Sequence, residues 1–351
     1  MRVFCFFVEP ASYTLDLTRN IYDKNNIDYC FIKSKTLAIS NSSSNKVFLD
    51  RFSFFSKLKF VVSQFKKNDF IIINGYNNYP FIFIFLLNLF SLRKRFIATD
   101  SDTQLSIPSN LLKRFVKWLY LSIVFKNKYV LGFAGGNNSH KDLFRHYGMK
   151  ENRIFLMPMM VDNQQYYQNK KIFPKIFTFL FVGRLIDTKN VDVLCEKFSH
   201  SFSEKDVRLI IVGDGKNLPK FQMKYSHKNI VFKGSVFGQE LIQLYHNSSV
   251  FVFSSSLDAW GLVVNEAMSA GLPVISHNEV GANYDLIKDK NTGMIASDMD
   301  DFGDKMLELY NKPDLLIQFS KNASDLMRDN WNYDLYNKCL QDAVKKVELW
   351  R

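Results

Sequence analysis

The sequence predicts an α/β protein with two parallel β-sheets, each in a domain of its own. Short, continuous apolar runs alternate with longer amphipathic segments along the 351 residues, as in buried parallel strands that are joined by helices. The series occurs twice, and the polar stretch MVDNQQYYQNKKIFPK separates its halves. The length also suits about two domains of ~150 residues better than a single core.

Ten apolar runs are predicted to be strands. They are RVFCFFV, DFIIING, RFIATD, YVLGFAG and IFLMPM in the first half, and FTFLFVG, VRLIIVG, NIVFKG, VFVFSS and LPVISH in the second. Helices are predicted between most of them, for example at NVDVLCEKFSHSF and GQELIQLYHNS. We therefore expect an N-terminal domain at 1–165, a C-terminal domain at 174–333, and a last helix at 334–351 that packs back on the N-terminal domain.

Composition points to a globular protein inside the cell. The chain is 47% hydrophobic and 23% charged, without a collagen-like or disordered bias. Its four cysteines lack metal-ligand spacing, which fits reduced thiols in the cytoplasm; they are Cys5, Cys30, Cys195 and Cys339. The opening MRVFCFFVEP lacks the features of a signal peptide and is predicted to be a buried strand.

The net charge of +12 is confined to the first half of the chain, because residues 1–165 contain 23 Lys and Arg against 11 Asp and Glu. Such a basic half favours an anionic partner, either nucleic acid or a membrane. Residues 110–128, NLLKRFVKWLYLSIVFKNK, mix cations with aromatic residues. This is typical of a helix in a membrane interface, although a core helix with a solvated basic edge has the same pattern. The apolar segment 81–90 is too short to span a bilayer and is predicted to pack on the sheet.

The segment 183–189, GRLIDTK, directly follows a predicted strand. Loops at the carboxyl ends of parallel strands bind ligands in α/β proteins. Arg184 and Lys189 there, together with free N–H groups at a helix start, have the chemistry to hold a diphosphate. Taken alone, the same residues also fit two solvated surface cations.

Three further motifs follow at strand ends. IVGDG places Gly213 where the backbone can approach a ligand or turn sharply, and NIVFKGSV ends its strand at Gly234. In DAWGLVVNEAMSAGLPVI, at 258–275, Asp258 lies in a loop and Glu266 about one turn into a helix. Carboxylates suit vicinal hydroxyls, and N–H groups at the helix start suit phosphate or sugar oxygens. A capping Asp with an exposed Glu is the simpler alternative.

The four motifs in this order resemble those of the retaining glycosyltransferases of family 4, and the resemblance covers most of 177–300. It implies the GT-B architecture, with two Rossmann-like domains whose parallel sheets face a central cleft. It also implies that the C-terminal domain binds a nucleoside diphosphate sugar, and that the sugar is transferred with retention of configuration and without a metal or other cofactor.

The resemblance implies a role for each matching position. Arg184 and Lys189 would hold the diphosphate, and Glu266 would hold the ribose hydroxyls. Asp258 stands where the family usually has the Glu that contacts the donor hexose, and Val236 would contact the base through its backbone. The predicted donor site is completed by Gly183, Gly213, Ala259, Trp260, Gly261 and Leu262.

Two departures from the family pattern concern the first half. The loop EPASYT at 9–14 lacks the glycines that many members have there, and it is expected to serve the acceptor instead. The strand RFIAT runs into Asp100, Ser101 and Asp102, where the family often has a His facing the reacting sugar. We predict that Asp100 or Asp102 binds or polarises the acceptor hydroxyl, with a turn or helix-capping role as the alternative.

The expected activity is transfer of a hexose, with UDP as the expected nucleotide, to a polyprenyl-diphosphate-linked saccharide. That acceptor points to bacterial O-antigen or capsule synthesis at the cytoplasmic side of the inner membrane, where the basic half would contact anionic lipid. A nucleotide-sugar epimerase of the same architecture is the alternative enzyme. A non-enzymatic nucleotide-binding or nucleic-acid-binding protein is the remaining alternative, although no nucleic-acid motif is present.

Overall fold

A computed structural model of the chain describes residues 1–34, 47–101, 104–225 and 229–351. Within these residues the chain forms twelve strands and thirteen α-helices. They divide into two compact units, Met1–Met160 with Tyr333–Arg351, and Val161–Asn332. Each unit has one six-stranded sheet.

The sheet of the first unit is entirely parallel, with strand order β2-β1-β3-β4-β5-β6. Its strands are β1 (Val3–Phe7), β2 (Asp28–Phe31), β3 (Phe70–Asn74), β4 (Phe96–Ser101), β5 (Val130–Ala134) and β6 (Ile154–Leu156). Its helices are α1 (Ser12–Leu17), α2 (Phe54–Lys67), α3 (Tyr79–Phe90), α4 (Leu111–Lys126) and α5 (Ser139–His146). The inner sides of α2 to α5 share one apolar core with the sheet, so these four helices cover the same sheet face.

The second unit repeats the plan, with parallel strands in the order β12-β11-β10-β7-β8-β9. Its strands are β7 (Phe177–Val182), β8 (Val207–Val212), β9 (Ile230–Gly234), β10 (Val250–Phe253), β11 (Val274–His277) and β12 (Gly293–Ala296). Its helices are α6 (Asn163–Tyr166), α7 (Val191–Phe202), α8 (Leu218–Tyr225), α9 (Gly238–His246), α10 (Leu262–Ser269), α11 (Met299–Asn311) and α12 (Pro313–Asp329). The predicted fold class, with two Rossmann-like parallel sheets, is confirmed.

The polar stretch between the two halves lies in the second unit and not between the units. Asn163, at the start of α6, donates two hydrogen bonds of 2.8 Å to the carbonyl oxygens of Met327 and Trp331. Gln168 donates to the carbonyl oxygen of Ala270 at 2.8 Å. The first unit therefore ends at Met160, because these contacts tie the polar stretch to α10 and α12.

The last helix, α13 (Tyr333–Trp350), belongs to the first unit. The hydroxyl of Tyr336 lies 3.3 Å from that of Tyr22 in the interior, and the ring of Trp350 lies 5.9 Å from that of Phe96. Both contacts bury aromatic surface against this unit's sheet and α1 region, which stabilises a helix that is remote in sequence.

One helix prediction is settled by these elements. The apolar segment 81–90 forms most of α3 and buries Phe81, Ile84 and Phe85 on the sheet, as predicted. The acidic run near residue 300 begins α11, where the Asp298 side chain accepts from the backbone N–H groups of Asp300 and Asp301. Among the described residues, no helix has the length and apolar character needed to cross a membrane.

Candidate active site

The predicted donor motifs lie where the strand order of the second sheet reverses. From β7 the chain adds β8 and β9 on one side, and then returns to add β10, β11 and β12 on the other. Open α/β sheets bind ligands at such a switch point, beyond the carboxyl ends of the strands. Arg184 follows β7 and Asp258 follows β10, so these motifs come to neighbouring strand ends.

Lys189 and Asp258 form an ion pair at this switch point. The Lys189 Nζ lies 2.5 Å from Oδ2 of Asp258 and 3.2 Å from Oγ of Ser255. It also lies 5.0 Å from the centre of the Phe253 ring. Lys189 is only 8% exposed, so its charge has a fixed position. The structure thus brings together Lys189, predicted for the diphosphate, and Asp258, predicted for the hexose. The two side chains contact each other directly.

The loops that carry this pair are joined by polar contacts. Ser254 donates from its hydroxyl to the carbonyl oxygen of Lys189 at 2.7 Å, and the Asn190 side chain donates to that of Ser254 at 3.1 Å. Asn190 has a φ of +50° and precedes α7, a conformation that Asn tolerates better than most residues. These contacts hold the lysine backbone against the end of β10, so the Lys189 side chain is aimed at the switch point.

Arg184 differs from Lys189 in being exposed. Its guanidinium makes no hydrogen bond or ion pair with the part of the chain that the structure describes. An arginine in this state can offer several N–H donors to an anion without breaking an existing contact. The two predicted diphosphate ligands are therefore present as one solvated cation and one buried, paired cation.

Gly213 makes possible a close approach of two strand ends. Its φ is +138°, and a Cβ atom there would lie 1.8 Å from the carbonyl oxygen of Gly183. Its own N–H donates to the carbonyl oxygen of Gly234 at 2.8 Å. From the sequence, this GDG motif fits either an ordinary turn or a place where the backbone approaches a ligand. In the structure, the backbone of Gly213 packs against that of Gly183, next to Arg184.

The start of α10 is arranged differently from the prediction. The backbone N–H of Trp260, predicted to face donor oxygens, donates to Oδ1 of Asp258 at 3.3 Å. The Trp260 ring is buried, stacks on Trp331 with centroids 5.4 Å apart, and donates from Nε1 to Asn265 at 2.8 Å. Its role is to anchor the loop, since a buried indole N–H needs a partner.

The remaining predicted residues of the loop lie around this anchor. Gly261, with a φ of +92°, leads into α10, and a Cβ atom there would lie 3.0 Å from the Phe253 ring. Ala259 is exposed and Leu262 is partly buried. Val236, two residues beyond the end of β9, has a buried side chain, and its backbone contact to the base stays a prediction.

Glu266 lies in α10 next to two tyrosines that the sequence analysis did not identify. The Tyr245 hydroxyl donates to Oε2 of Glu266 at 2.8 Å, and the Tyr166 hydroxyl also hydrogen-bonds this carboxyl. Burial raises the pKa of Glu266 from 4.5 to about 7, and the two hydroxyls oppose this rise. The partners come from α9 and α6, 21 and 100 residues away, so sequence pattern could not reveal them.

The raised pKa of Glu266 predicts a pH dependence of stability. A carboxyl whose pKa rises on folding stabilises the fold at low pH, and this contribution is lost as pH increases through about 7. Glu266→Gln should therefore flatten the decline in the free energy of unfolding between pH 5 and pH 7, relative to wild type. Denaturant unfolding across that range measures it. The exposed Glu240 offers the control Glu240→Gln, and an equal decline in wild type and Glu266→Gln would contradict the assignment.

In the first unit, Asp100 lies near the end of β4 and is held by its neighbour. The Asn74 side-chain amide donates to Oδ2 of Asp100 at 2.9 Å, and the backbone N–H of Gly75 donates to the Asp100 carbonyl oxygen at 2.9 Å. Asp100 lines a pocket that Glu9, Tyr13 and Thr14 also line. Of the loop predicted at 9–14, only residues 9–11 precede the helix, because α1 begins at Ser12. Asp102, the other candidate for the acceptor role, lies outside the described residues.

Comparison with solved structures identifies the fold class. The chain superposes on the crystal structure of Anabaena Alr3699/HepE in complex with UDP and glucose with a TM-score of 0.73 and 14% identity, covering 98% of this chain and 100% of that one. The fold is therefore the GT-B fold of two Rossmann-like domains, as the resemblance implied. Residues 162–326, almost the whole second unit, match the family model for glycosyl transferases group 1.

Curated relatives align with part of the chain. It is 36% identical over 115 residues to a GDP-mannose-dependent alpha-mannosyltransferase of Mycobacterium tuberculosis (strain CDC 1551 / Oshkosh), an alignment covering 33% of this chain and 29% of that protein. It is 34% identical over 174 residues to the sulfoquinovosyl transferase SQD2 of Arabidopsis thaliana, covering 49% and 30%. The alignments span less than a third of either relative. Together with the family match they support a glycosyltransferase.

Proposed function

We propose that the chain is a retaining glycosyltransferase that moves a hexose from a nucleoside diphosphate sugar to a lipid-linked saccharide. The observation that carries this proposal is the pairing of Lys189 with Asp258 at the β7/β10 switch point, beside the exposed Arg184. One buried cation, one exposed cation and a carboxylate at strand ends have the chemistry to bind a diphosphate and a sugar hydroxyl. The family match over residues 162–326 supports the same role.

In the proposed reaction the bond between the anomeric carbon and the β-phosphate oxygen breaks. Negative charge then develops on the leaving diphosphate, which Arg184 and Lys189 stabilise electrostatically. The acceptor hydroxyl attacks from the same face, and the departing phosphate oxygen takes its proton. No protein base and no metal enter this proposal. Asp258 orients Lys189 toward the diphosphate and accepts from a hydroxyl of the hexose.

The identity of the nucleotide in the donor is also proposed. One relative is named for GDP-mannose, and one protein of the same fold was crystallised with UDP. We propose UDP as the nucleotide, because the neighbour that matches over nearly the whole chain was crystallised with it. A thermal-shift panel of UDP, GDP and ADP sugars tests it: the largest stabilisation is expected with a UDP sugar, and a larger shift with a GDP sugar would replace UDP in the proposal. A ligand at a concentration of a hundred times its Kd raises the free energy of unfolding by about 2.7 kcal/mol, and a thermal-shift panel detects a change of that size.

The lipid-linked acceptor is proposed from the surface of the first unit. The apolar side chains in the first half of α4 are largely exposed: Leu111, Leu112 and Phe115 are 77%, 72% and 58% exposed. Trp118 and Ile123 are exposed farther along the same helix. Contiguous exposed apolar surface of this kind marks an interaction site. The alternative of a helix buried in the core holds only for the second half of α4, where Leu121, Val124 and Phe125 are buried.

Charge complements this apolar face. Lys113, Arg114 and Lys126 of α4 are exposed, and α3, which covers the same sheet face, exposes Ile82, Leu86 and Phe90. Apolar side chains with basic neighbours suit the interface of an anionic bilayer. The apolar side chains enter the boundary of the acyl chains, and the basic side chains contact the lipid phosphate groups. We propose that this face rests on the cytoplasmic side of the inner membrane, where O-antigen or capsule intermediates are lipid-linked.

The membrane proposal predicts the outcome of a flotation experiment. The chain should float with vesicles of phosphatidylglycerol and phosphatidylethanolamine, and salt should weaken binding. Leu112→Asp with Phe115→Asp should lower the binding constant at least tenfold, because burying one such side chain contributes about 1.5–3 kcal/mol. Met223→Asp is the matched control, since Met223 is 80% exposed on α8 of the other unit. Equal flotation of the α4 variant and the control would contradict a docking role for α4.

A further inference from the structure

The pocket of the first unit lies at the switch point of its own sheet. From β1 the chain adds β2 on one side and β3 to β6 on the other, and the pocket opens beyond the carboxyl ends of β1, β3 and β4. Its volume is about 390 Å³, within the usual range for a small-molecule site. The place and size suit a ligand of one or two sugar rings.

The walls of the pocket carry negative charge and amides. Glu9 and Asp100 supply two carboxylates, and Asn74, Asn77 and Asn78 supply three amides. Three tyrosines and three methionines contribute much of the remaining lining. No Lys, Arg or His is among the described residues that line it, although the first unit carries the net positive charge of the chain. The pocket is thus an acidic recess in a basic unit.

The amide segment is held rigidly beside Asp100. Gly75 has a φ of +82°, and a Cβ atom there would lie 2.7 Å from Nδ2 of Asn78. Asn78 donates from Nδ2 to the carbonyl oxygen of Asn74 at 2.5 Å, while Asn74 donates to Asp100. These contacts pre-organise the carboxylate and the amides before a ligand enters, which reduces the entropic cost of binding.

On the far side, the pocket meets α13. Tyr336 lines the pocket, and its hydroxyl contacts that of Tyr22. Burial, and then the nearby Asp100 charge, raise the pKa of Tyr336 well above its usual value, so the hydroxyl stays neutral. A neutral phenol next to a carboxylate offers an aromatic face and a hydrogen-bonding group to a sugar ring.

We propose that this pocket binds an uncharged, polyhydroxylated saccharide and rejects acidic ones. Carboxylates and amides accept and donate hydrogen bonds to sugar hydroxyls, whereas two carboxylates repel a uronate, sulfate or phosphate. The amino terminus of α3 also borders the pocket, but its partial charge of about half an elementary charge does not offset two carboxylates.

The inference deepens the proposed function, on which it rests for the saccharide to be the acceptor. The terminal residue of the acceptor is then a neutral sugar, such as a hexose or an N-acetylhexosamine. Any diphosphate of a lipid-linked acceptor lies outside the pocket, toward the basic surface of the same unit.

Binding of matched sugar pairs to the full chain tests the pocket without any nucleotide sugar. Saturation-transfer NMR and titration would compare methyl glucoside, galactoside and N-acetylglucosaminide with methyl glucuronide and galacturonide. At least one neutral glycoside should bind, and its uronate partner should bind at least tenfold more weakly, which corresponds to about 1.4 kcal/mol. Binding of no neutral glycoside, or equal binding of a uronate, would overturn the proposal.

Variants that replace a pocket carboxylate by an amide test whether the carboxylates cause the discrimination against uronates. Glu9→Gln should narrow the ratio of binding constants between a glycoside and its uronate at least threefold, because one of the two repelling charges is removed. Asp100→Asn should act in the same direction. The exposed Glu240 of the second unit provides the control Glu240→Gln. Unchanged discrimination in both pocket variants would contradict the pocket as its source. This binding test contains no nucleotide sugar, so its outcome is independent of the turnover assay. Failure of the chain to turn over any nucleotide sugar would refute the proposed transfer, but it would not change the measured sugar binding.

Discussion

Replacing Arg184 with alanine is expected to lower kcat/KM for the donor by about 10²–10³, which corresponds to roughly 2.7–4 kcal/mol of transition-state stabilisation. Arg184 is the exposed cation at the β7 end, so it is available to the diphosphate as negative charge develops there. The loss should appear mainly in kcat, because the contact strengthens as the bond breaks. Steady-state release of nucleoside diphosphate measures it.

Arg208→Ala is the matched control for this experiment. Arg208 is also an exposed arginine of the second unit, but it lies near the amino end of β8, at the opposite edge of the sheet from the switch point. Its removal should leave kcat/KM within about twofold and show that lost net charge is not the cause. Near wild-type turnover of Arg184→Ala would contradict the diphosphate assignment.

Gly213→Ala is expected to destabilise the second unit by about 2–4 kcal/mol. The added Cβ would lie 1.8 Å from the carbonyl oxygen of Gly183, which is backbone and cannot rotate away, and the φ of +138° is itself unfavourable for alanine. The β7 and β8 ends must then separate, which also displaces Arg184. Chemical denaturation, with donor binding measured in parallel, would report both effects.

Gly238→Ala separates steric conflict from backbone strain. Gly238 also has a positive φ, +60°, but a Cβ atom there meets no atom within 4 Å. Only the conformational cost of about 1 kcal/mol is expected. Equal destabilisation by the two substitutions would show that the close approach of Gly213 to Gly183 does not determine stability.

Most of the sheet structure follows from apolar runs. All ten predicted runs contain strands, because buried parallel strands need continuous apolar sequence on both faces. The two strands that were not predicted, β2 and β12, are both at sheet edges. Each has only four residues, with a polar or small residue at its start, DYCF and GMIA. A short edge strand has one neighbour and less apolar sequence, so its pattern is weak.

The sequence predicted which residues of the candidate site lie at strand ends, but it did not predict which of them contact each other. The rule that ligands bind beyond strand ends directed attention to Arg184, Lys189 and Asp258, and the structure places them at the neighbouring ends of β7 and β10. The ion pair between Lys189 and Asp258 joins residues 69 apart, and periodicity carries no information on such a pair. The same holds for Glu266 and its tyrosines. The sequence predicts that the backbone N–H of Trp260 faces the ligand, because sequence alone does not show that this N–H donates to the Asp258 carboxylate.

The pairing also bears on why an aspartate stands at position 258. With one methylene fewer than glutamate, its carboxylate stays close to the backbone, where it accepts from the Trp260 N–H and contacts Lys189. In the proposed function this residue positions the lysine as well as a sugar hydroxyl, and its shorter reach predicts that the hexose lies close to the loop that follows β10.

A nucleotide-sugar turnover panel tests the central claim most directly. The full chain would be incubated with UDP-, GDP- and ADP-linked hexoses, with and without membrane extract of lipid-linked saccharides, and products would be followed by mass spectrometry and NMR. The account predicts release of one nucleoside diphosphate with transfer of its sugar to a lipid-linked glycan, in the anomeric configuration of the donor. Turnover of no nucleotide sugar, inversion at the anomeric carbon, or conversion of a donor to its epimer would contradict it.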